Sequence, residues 1–145
     1  MKAKLEKKLL KKYPKIFRQK GLSPQETCMC WGIDTGDGWY WLIDNLCSSL
    51  QWDIDHNGFP QIEATQVKEK FGGLRWYYII SGTKEGKDLA NKCGTQRGMV
   101  TLAEFMSNSI CEECGSTKDV TQTKGWISTL CKTCMKERNE NNNRT

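Results

Sequence analysis

Cys111-Glu-Glu-Cys114 and Cys131-Lys-Thr-Cys134 are the residues of this chain whose type and spacing specify chemistry most directly. Sixteen residues, Gly115 to Leu130, separate the two pairs, the spacing of a four-thiolate zinc ribbon or knuckle. Each C-x-x-C lets two sulfurs close on one ion from a tight turn, and Gly115 supplies the backbone freedom that turn needs. Four cysteine ligands leave no open coordination position, so the expected Zn2+ is structural and not catalytic. A redox pair or an iron–sulfur cluster is the competing use. Cys28, Cys30, Cys47 and Cys93 offer only a C-x-C and two distant partners, a poor signature for a second metal site. Buried free thiols are common enough to account for them.

A second constellation lies in Gln61 to Ile80, QIEATQVKEKFGGLRWYYII. Two β-favouring runs flank Gly72-Gly73, which can take the positive φ angles of a two-residue hairpin loop. That loop sets Phe71 opposite Leu74, Glu69 opposite Trp76 and Val67 opposite Tyr78. Val67, Phe71, Leu74, Trp76, Tyr78 and Ile80 then form the core face. Gln66, Lys68, Lys70, Arg75 and Tyr77 form the other, with Ile79 further along. Three cations beside an aromatic ring suit a phosphate-bearing ligand, with Tyr40 and Trp41 as further stacking platforms. The plain alternative is a solvated face whose lysines discourage edge pairing.

Other motifs are weaker. Asp34-Thr35-Gly36 matches the aspartic-protease triplet, but it occurs once and runs straight into a helix. Asp53-Ile-Asp55-His-Asn57-Gly58 opens like a calcium loop, then meets Pro60 and has Ala64 where the bidentate Glu belongs. His56 is the single histidine; beside Asp53 and Asp55 it reads as a nuclease-like ligand or, more plainly, as a turn residue. No Ser/His/Asp or Cys/His arrangement assembles around it. Enzymatic activity is therefore the least favoured class, although magnesium held by carboxylates needs no histidine.

The elements that must position these residues follow from periodicity. Leu5, Leu9, Leu10, Tyr13, Ile16 and Phe17 recur at helical spacing, giving a basic amphipathic helix over 1–22, kinked or ended near Pro14. Trp39, Leu42, Ile43, Leu46 and Leu50 form the stripe of a helix from Gly38 to Leu50, with Asp37 as its cap. A short helix is expected around Gly86 to Lys92, and another through Met99, Leu102, Phe105 and Met106 with Thr101 as a possible cap. The predicted organisation is that helix, an α+β body over 23–108, a zinc module over 109–138, and a disordered tail over 139–145. The predicted fold class is α+β: a central antiparallel hairpin or small sheet, helices packed on its apolar face, and a C-terminal zinc ribbon or knuckle.

The 145 residues carry net charge +5, but the charge is segregated. Residues 1–20 hold nine Lys/Arg against Glu6 alone, which leaves −3 for the remainder. This describes a basic helix on a near-neutral body, with nucleic-acid contact through Lys2 to Lys20 as one reading. No apolar run approaches the roughly 20 residues of a membrane span, and the lysine-rich start lacks the apolar stretch of a signal peptide. A cytoplasmic protein with no membrane partner is expected, its eight cysteines serving metal or free thiols and not disulfides.

With GDGW and the helix after it (Gly36 to Leu50), FPQI with QVKEKFGGLRWYY (Phe59 to Ile62, Gln66 to Tyr78) and CEECG…GWISTLCKTC (Cys111 to Gly115, Gly125 to Cys134), the chain resembles a family of small uncharacterised bacterial and phage proteins. Members often carry histidine where Cys134 stands, and either residue ligates zinc. The resemblance implies a hairpin, supporting helices, a terminal zinc module and a phage or prophage setting, but no activity. The favoured reading is a phage-encoded, non-catalytic binding protein that captures a nucleotide or other phosphate-rich ligand, with sequestration of a host nucleotide signal as one use. A homo-oligomer is expected, since one hairpin face makes a shallow site. Alternatives are a nucleic-acid-binding accessory factor with structural zinc, and a protein–protein adaptor or inhibitor of a host enzyme.

Overall fold

A computed structural model describes residues 1–81 and 89–142. Nine regular elements follow in order: α1 (Ala3–Lys12), β1 (Ile33–Asp34), α2 (Tyr40–His56), β2 (Gln61–Lys70), β3 (Gly73–Ser81), α3 (Leu89–Ser107), β4 (Val120–Gln122), β5 (Thr129–Cys131) and α4 (Lys132–Asn142). Short 3-10 turns at Arg18–Gly21, Cys28–Trp31 and Asp37–Trp39 join them. The fold class is α+β, with a three-stranded sheet, a two-stranded ribbon and a C-terminal cluster of four cysteines.

β2 is the central strand. β3 pairs with it antiparallel, and β1 adds a short parallel pairing through Ile33 opposite Val67. The hairpin loop is Phe71-Gly72, not Gly72-Gly73, so Lys70 faces Gly73, Glu69 faces Leu74 and Val67 faces Trp76. Both loop residues take positive φ, 54° and 75°, the turn type whose twist matches paired strands. The loop keeps its length and moves by one position, so the alternation of faces survives. Val67, Leu74 and Trp76 are buried, while Phe71 leaves the core and Ile80 is 39% exposed at the strand's far end. An irregularity between Ala64 and Gln66 switches parity along β2, which is how Ile62, Ala64 and Val67 all reach the core.

The helices cover that apolar face. Leu9, Tyr13, Ile16 and Phe17 belong to one cluster with Trp39, Leu42, Ile43, Leu46, Leu50, Val67, Leu74 and Trp76, so the N-terminal segment is built into the body. It departs from one continuous helix: α1 ends at Lys12, and the Ile16 carbonyl then accepts the Ala64 N–H at 2.8 Å. Asp37 does not cap α2 through its side chain; it accepts the Lys2 N–H at 2.7 Å and pairs with the Lys2 ammonium at 3.0 Å. α2 itself runs on to His56, so Asp53, Asp55 and His56 form a helix end and not a calcium loop or a turn. His56 stacks on Trp52.

α3 is a single helix of 19 residues whose buried positions are Gln96, Val100, Ala103 and Ser107. Leu102, Phe105 and Met106, whose helical spacing marked this helix in the sequence, face outward. Small and hydrogen-bonding residues point in because α3 closes the open edge of β3: Ser107 Oγ accepts the Leu74 N–H at 2.9 Å and Glu104 Oε1 accepts the Trp76 N–H at 2.8 Å. The helix expected around Gly86 to Lys92 lies partly outside the described residues. Of the tail, 139–142 continue α4, and 143–145 lie outside the described residues.

Candidate metal centre and cationic sheet face

The metal centre is assembled by two turns that face each other. In the first, Cys111 accepts the Gly115 N–H at 2.8 Å and donates its own N–H to Ser116, with Gly115 at φ 78° closing the turn. The second lies where β5 passes into α4, placing Cys131 at the strand end and Cys134 in the first helical turn. The Glu112 N–H bonds Thr129 O at 2.9 Å and the Lys132 N–H bonds Asp119 O at 3.0 Å, which locks the turns together.

The sulfurs of Cys111, Cys114, Cys131 and Cys134 all lie within 4.8 Å of one another. Thiolates held at about 2.3 Å by one tetrahedral ion stand about 3.8 Å apart. Cys114 and Cys131 are 3.7 Å apart. The backbone N–H of Cys134 draws the Cys131 thiol down to about 7, while burial pushes the Cys134 thiol up. Four thiolates this close repel, and a cation at their centre lets all four ionise. The donor set fits a structural metal ion. Among the described residues this is the one such cluster; Cys47 is fully buried among α2 neighbours, with Cys28 and Cys30 in a 3-10 turn and Cys93 on α3.

The centre is clamped onto the body by the GDGW segment. The Gly36 N–H donates to Glu112 Oε1 at 2.9 Å, the Gly38 N–H to Glu112 O at 2.7 Å, and Trp39 Nε1 to Ile110 O at 2.9 Å. A Cβ on Gly38 would collide with the Cys111 and Glu112 carbonyls and the Gly115 nitrogen. Glycine stands here because backbone meets backbone.

On the sheet face away from the helices, Lys68 lies directly opposite Arg75 and Gln66 opposite Tyr77. Lys68 Nζ sits 5.8 Å from the Tyr77 ring centre, and Tyr77 is half exposed. Lys70 follows at the strand end. Among the described residues none of Lys68, Lys70 and Arg75 has an ion-pair partner. Tyr40 and Trp41 are not brought to this face. α2 turns Leu42 and Ile43 onto the apolar side of the sheet, leaving Tyr40 half-buried against the core and Trp41 in a groove with Met99, Leu102 and Met106 of α3.

One set of residues escapes a reading by spacing: Phe71, Trp126 and Ile127 line a common cleft with Glu69, Lys70 and Gly125. The available signal was an aromatic residue beside a turn glycine in each loop, at Phe71-Gly72 and Gly125-Trp126. Comparison with protein-family models, with curated proteins and with solved structures finds no match to this chain.

Proposed function

We propose that the chain is a non-catalytic binding protein that captures a nucleotide or other phosphate-rich ligand on the Lys68, Lys70, Arg75 and Tyr77 face, with Zn2+ as the structural metal of Cys111, Cys114, Cys131 and Cys134. The observation that carries it is the cross-strand pair Lys68–Arg75, which makes no ion pair among the described residues although Asp34 of β1 stands beside Lys68 in the register, and which adjoins a half-exposed tyrosine ring. Cations satisfy phosphate oxygens while the ring accepts a base or sugar. The phage setting rests on the family resemblance alone, and capture of a host nucleotide signal is the use that would fit such a setting. A homo-oligomer is supported by the uncharged groove of Trp41, Leu102 and Met106, with Phe105 exposed one turn on, since such a face is self-complementary.

Arg75→Glu tests the site. ATP binding measured by calorimetry is expected to weaken at least about tenfold, the equivalent of about 1.4 kcal/mol, with an unchanged melting temperature. Unchanged affinity would remove this face from consideration. Native mass spectrometry identifies the metal, the subunit number and any nucleotide-sized passenger together.

The nucleic-acid reading through Lys2 to Lys20 has its own support, in the outward-facing Lys4, Lys7, Lys8 and Lys11. It predicts steep loss of affinity with salt. Against it, Lys2, Lys12, Lys15 and Arg18 pair with Asp37, Asp44, Asp55 and Glu63, so part of the basic segment is answered by the body.

A further inference from the structure

The tip of the hairpin and the turn Thr123 to Ser128 enclose a cleft of about 430 Å3, lined by Glu69, Lys70, Phe71, Gly125, Trp126 and Ile127. That volume lies within the range of small-molecule sites. Phe71 is 66% exposed and Trp126 79%. Most of each residue therefore stays in water, and the two rings do not stack on each other.

Both loops are held firmly. Glu69 Oε1 accepts the Gly72 N–H at 2.6 Å, and Thr129 Oγ1 donates to Gly72 O at 2.5 Å. A Cβ on Gly72 would stand 2.9 Å from Ile127 Cγ2, so the two turns meet without slack. Thr123 closes the second turn, donating its hydroxyl to Trp126 O at 2.6 Å and accepting the Ser128 N–H at 2.9 Å. Phe71 also stands at φ 54°, where glycine or asparagine rests with less strain. An exposed phenylalanine at a strained turn position is poorly explained by stability, which turns attention to what its ring contacts.

Charge selects the ligand. Lys70 Nζ lies 5.2 Å from the Phe71 ring centre and leads from the cleft to the Lys68 and Arg75 face. Glu69 is the acidic lining residue, and its carboxylate is turned into the hairpin loop. We propose that this cleft is a base-stacking subsite: a nucleobase lies against Phe71 and Trp126 while its phosphates run over Lys70 toward Lys68 and Arg75. The phosphate half of this arrangement rests on the capture reading; the stacking half stands on the cleft itself.

The test compares Phe71→Asn, Trp126→Ala and Arg75→Glu in the full metal-loaded chain, with ATP, an oligothymidylate, adenosine and tripolyphosphate as probes. Each aromatic variant is expected to weaken ATP or oligothymidylate binding about 5- to 150-fold and to leave tripolyphosphate unchanged. Arg75→Glu should weaken tripolyphosphate and ATP but not adenosine. Oligothymidylate bound over ten times more tightly than ATP assigns the base to a strand; the reverse assigns it to a free nucleotide. ATP and oligothymidylate affinities unchanged in both aromatic variants, with Arg75→Glu still weakening ATP, would overturn the cleft and spare the sheet face. Adenosine binding lost in the aromatic variants without any effect of Arg75→Glu would spare the cleft and overturn the sheet face. Binding of no probe overturns both, and self-association abolished by Trp126→Ala gives the cleft to a second copy instead. The melting temperature of Phe71→Asn, expected to hold or rise, guards against misfolding as the cause.

Discussion

Glu63 shows how one side chain binds the N-terminal segment to the sheet. It is 3% exposed, yet its carboxylate accepts from Arg18 Nε at 2.8 Å and Nη2 at 2.9 Å, and from Gln19 at 3.2 Å. The Arg18 guanidinium holds its pKa below the ordinary 4.5. Because the folded value is depressed, the stabilisation is present above about pH 4.5 and is lost as pH falls through the folded value. Glu63→Gln should flatten that part of the acid-denaturation curve. Arg18→Ala, which leaves a buried carboxylate with only Gln19 and Ser81 as partners, should lower the denaturant midpoint at neutral pH. Phe71 is the opposite case, a residue whose conformation costs stability: Phe71→Asn should gain about 1 kcal/mol.

At the scale of elements, the junction between the GDGW turn and the metal knuckle couples the site to the fold. Three hydrogen bonds cross it within four residues, and Gly38 allows the backbones to touch. Gly38→Ala must push the knuckle away, at about 1–3 kcal/mol, although an alanine suits the helical backbone here. Since the displaced turn carries Cys111 and Cys114, metal affinity should fall about 10- to 100-fold in competition with a chromophoric chelator. Retained affinity with lowered stability would mean that the knuckle holds its own shape. α3 illustrates a different constraint: its inward residues serve the edge of β3, so its largest apolar side chains are left outside.

For the molecule as a whole, two separate apolar clusters set the units of stability. The main core joins the helices to the sheet, whereas Cys111, Leu130 and Cys131 form a small cluster of their own with Val120, Cys134 and Met135. So small a core does not stand alone, and an ion held by the four sulfurs would supply the missing stability. Chelation, or Cys114→Ser, should therefore abolish amide-exchange protection across β4, β5 and α4 while β2 and β3 stay protected. Loss of protection throughout would instead show one cooperative unit. No helix among the described residues is long and apolar enough to cross a membrane.

What was legible in the chain is what depends on near neighbours. Two C-x-x-C pairs bring four sulfurs to one point because each pair is a single turn, and the α2 stripe marks its buried face because 3.6-residue periodicity is a property of the helix alone. The strand faces of Lys68, Lys70, Arg75 and Tyr77 were likewise readable, since alternation survives a loop that keeps its length. The loop position was decided elsewhere, by Gly72 pressed against Ile127 and Thr129, residues more than fifty positions away. Distance along the chain also explains why Tyr40 and Trp41 are apart from the cationic face and Phe71 and Trp126 share a cleft. Which surfaces meet depends on how the helix layer and the metal module dock, and docking is fixed by backbone contacts such as Gly38 on Cys111, where the side chains carry no pattern to read.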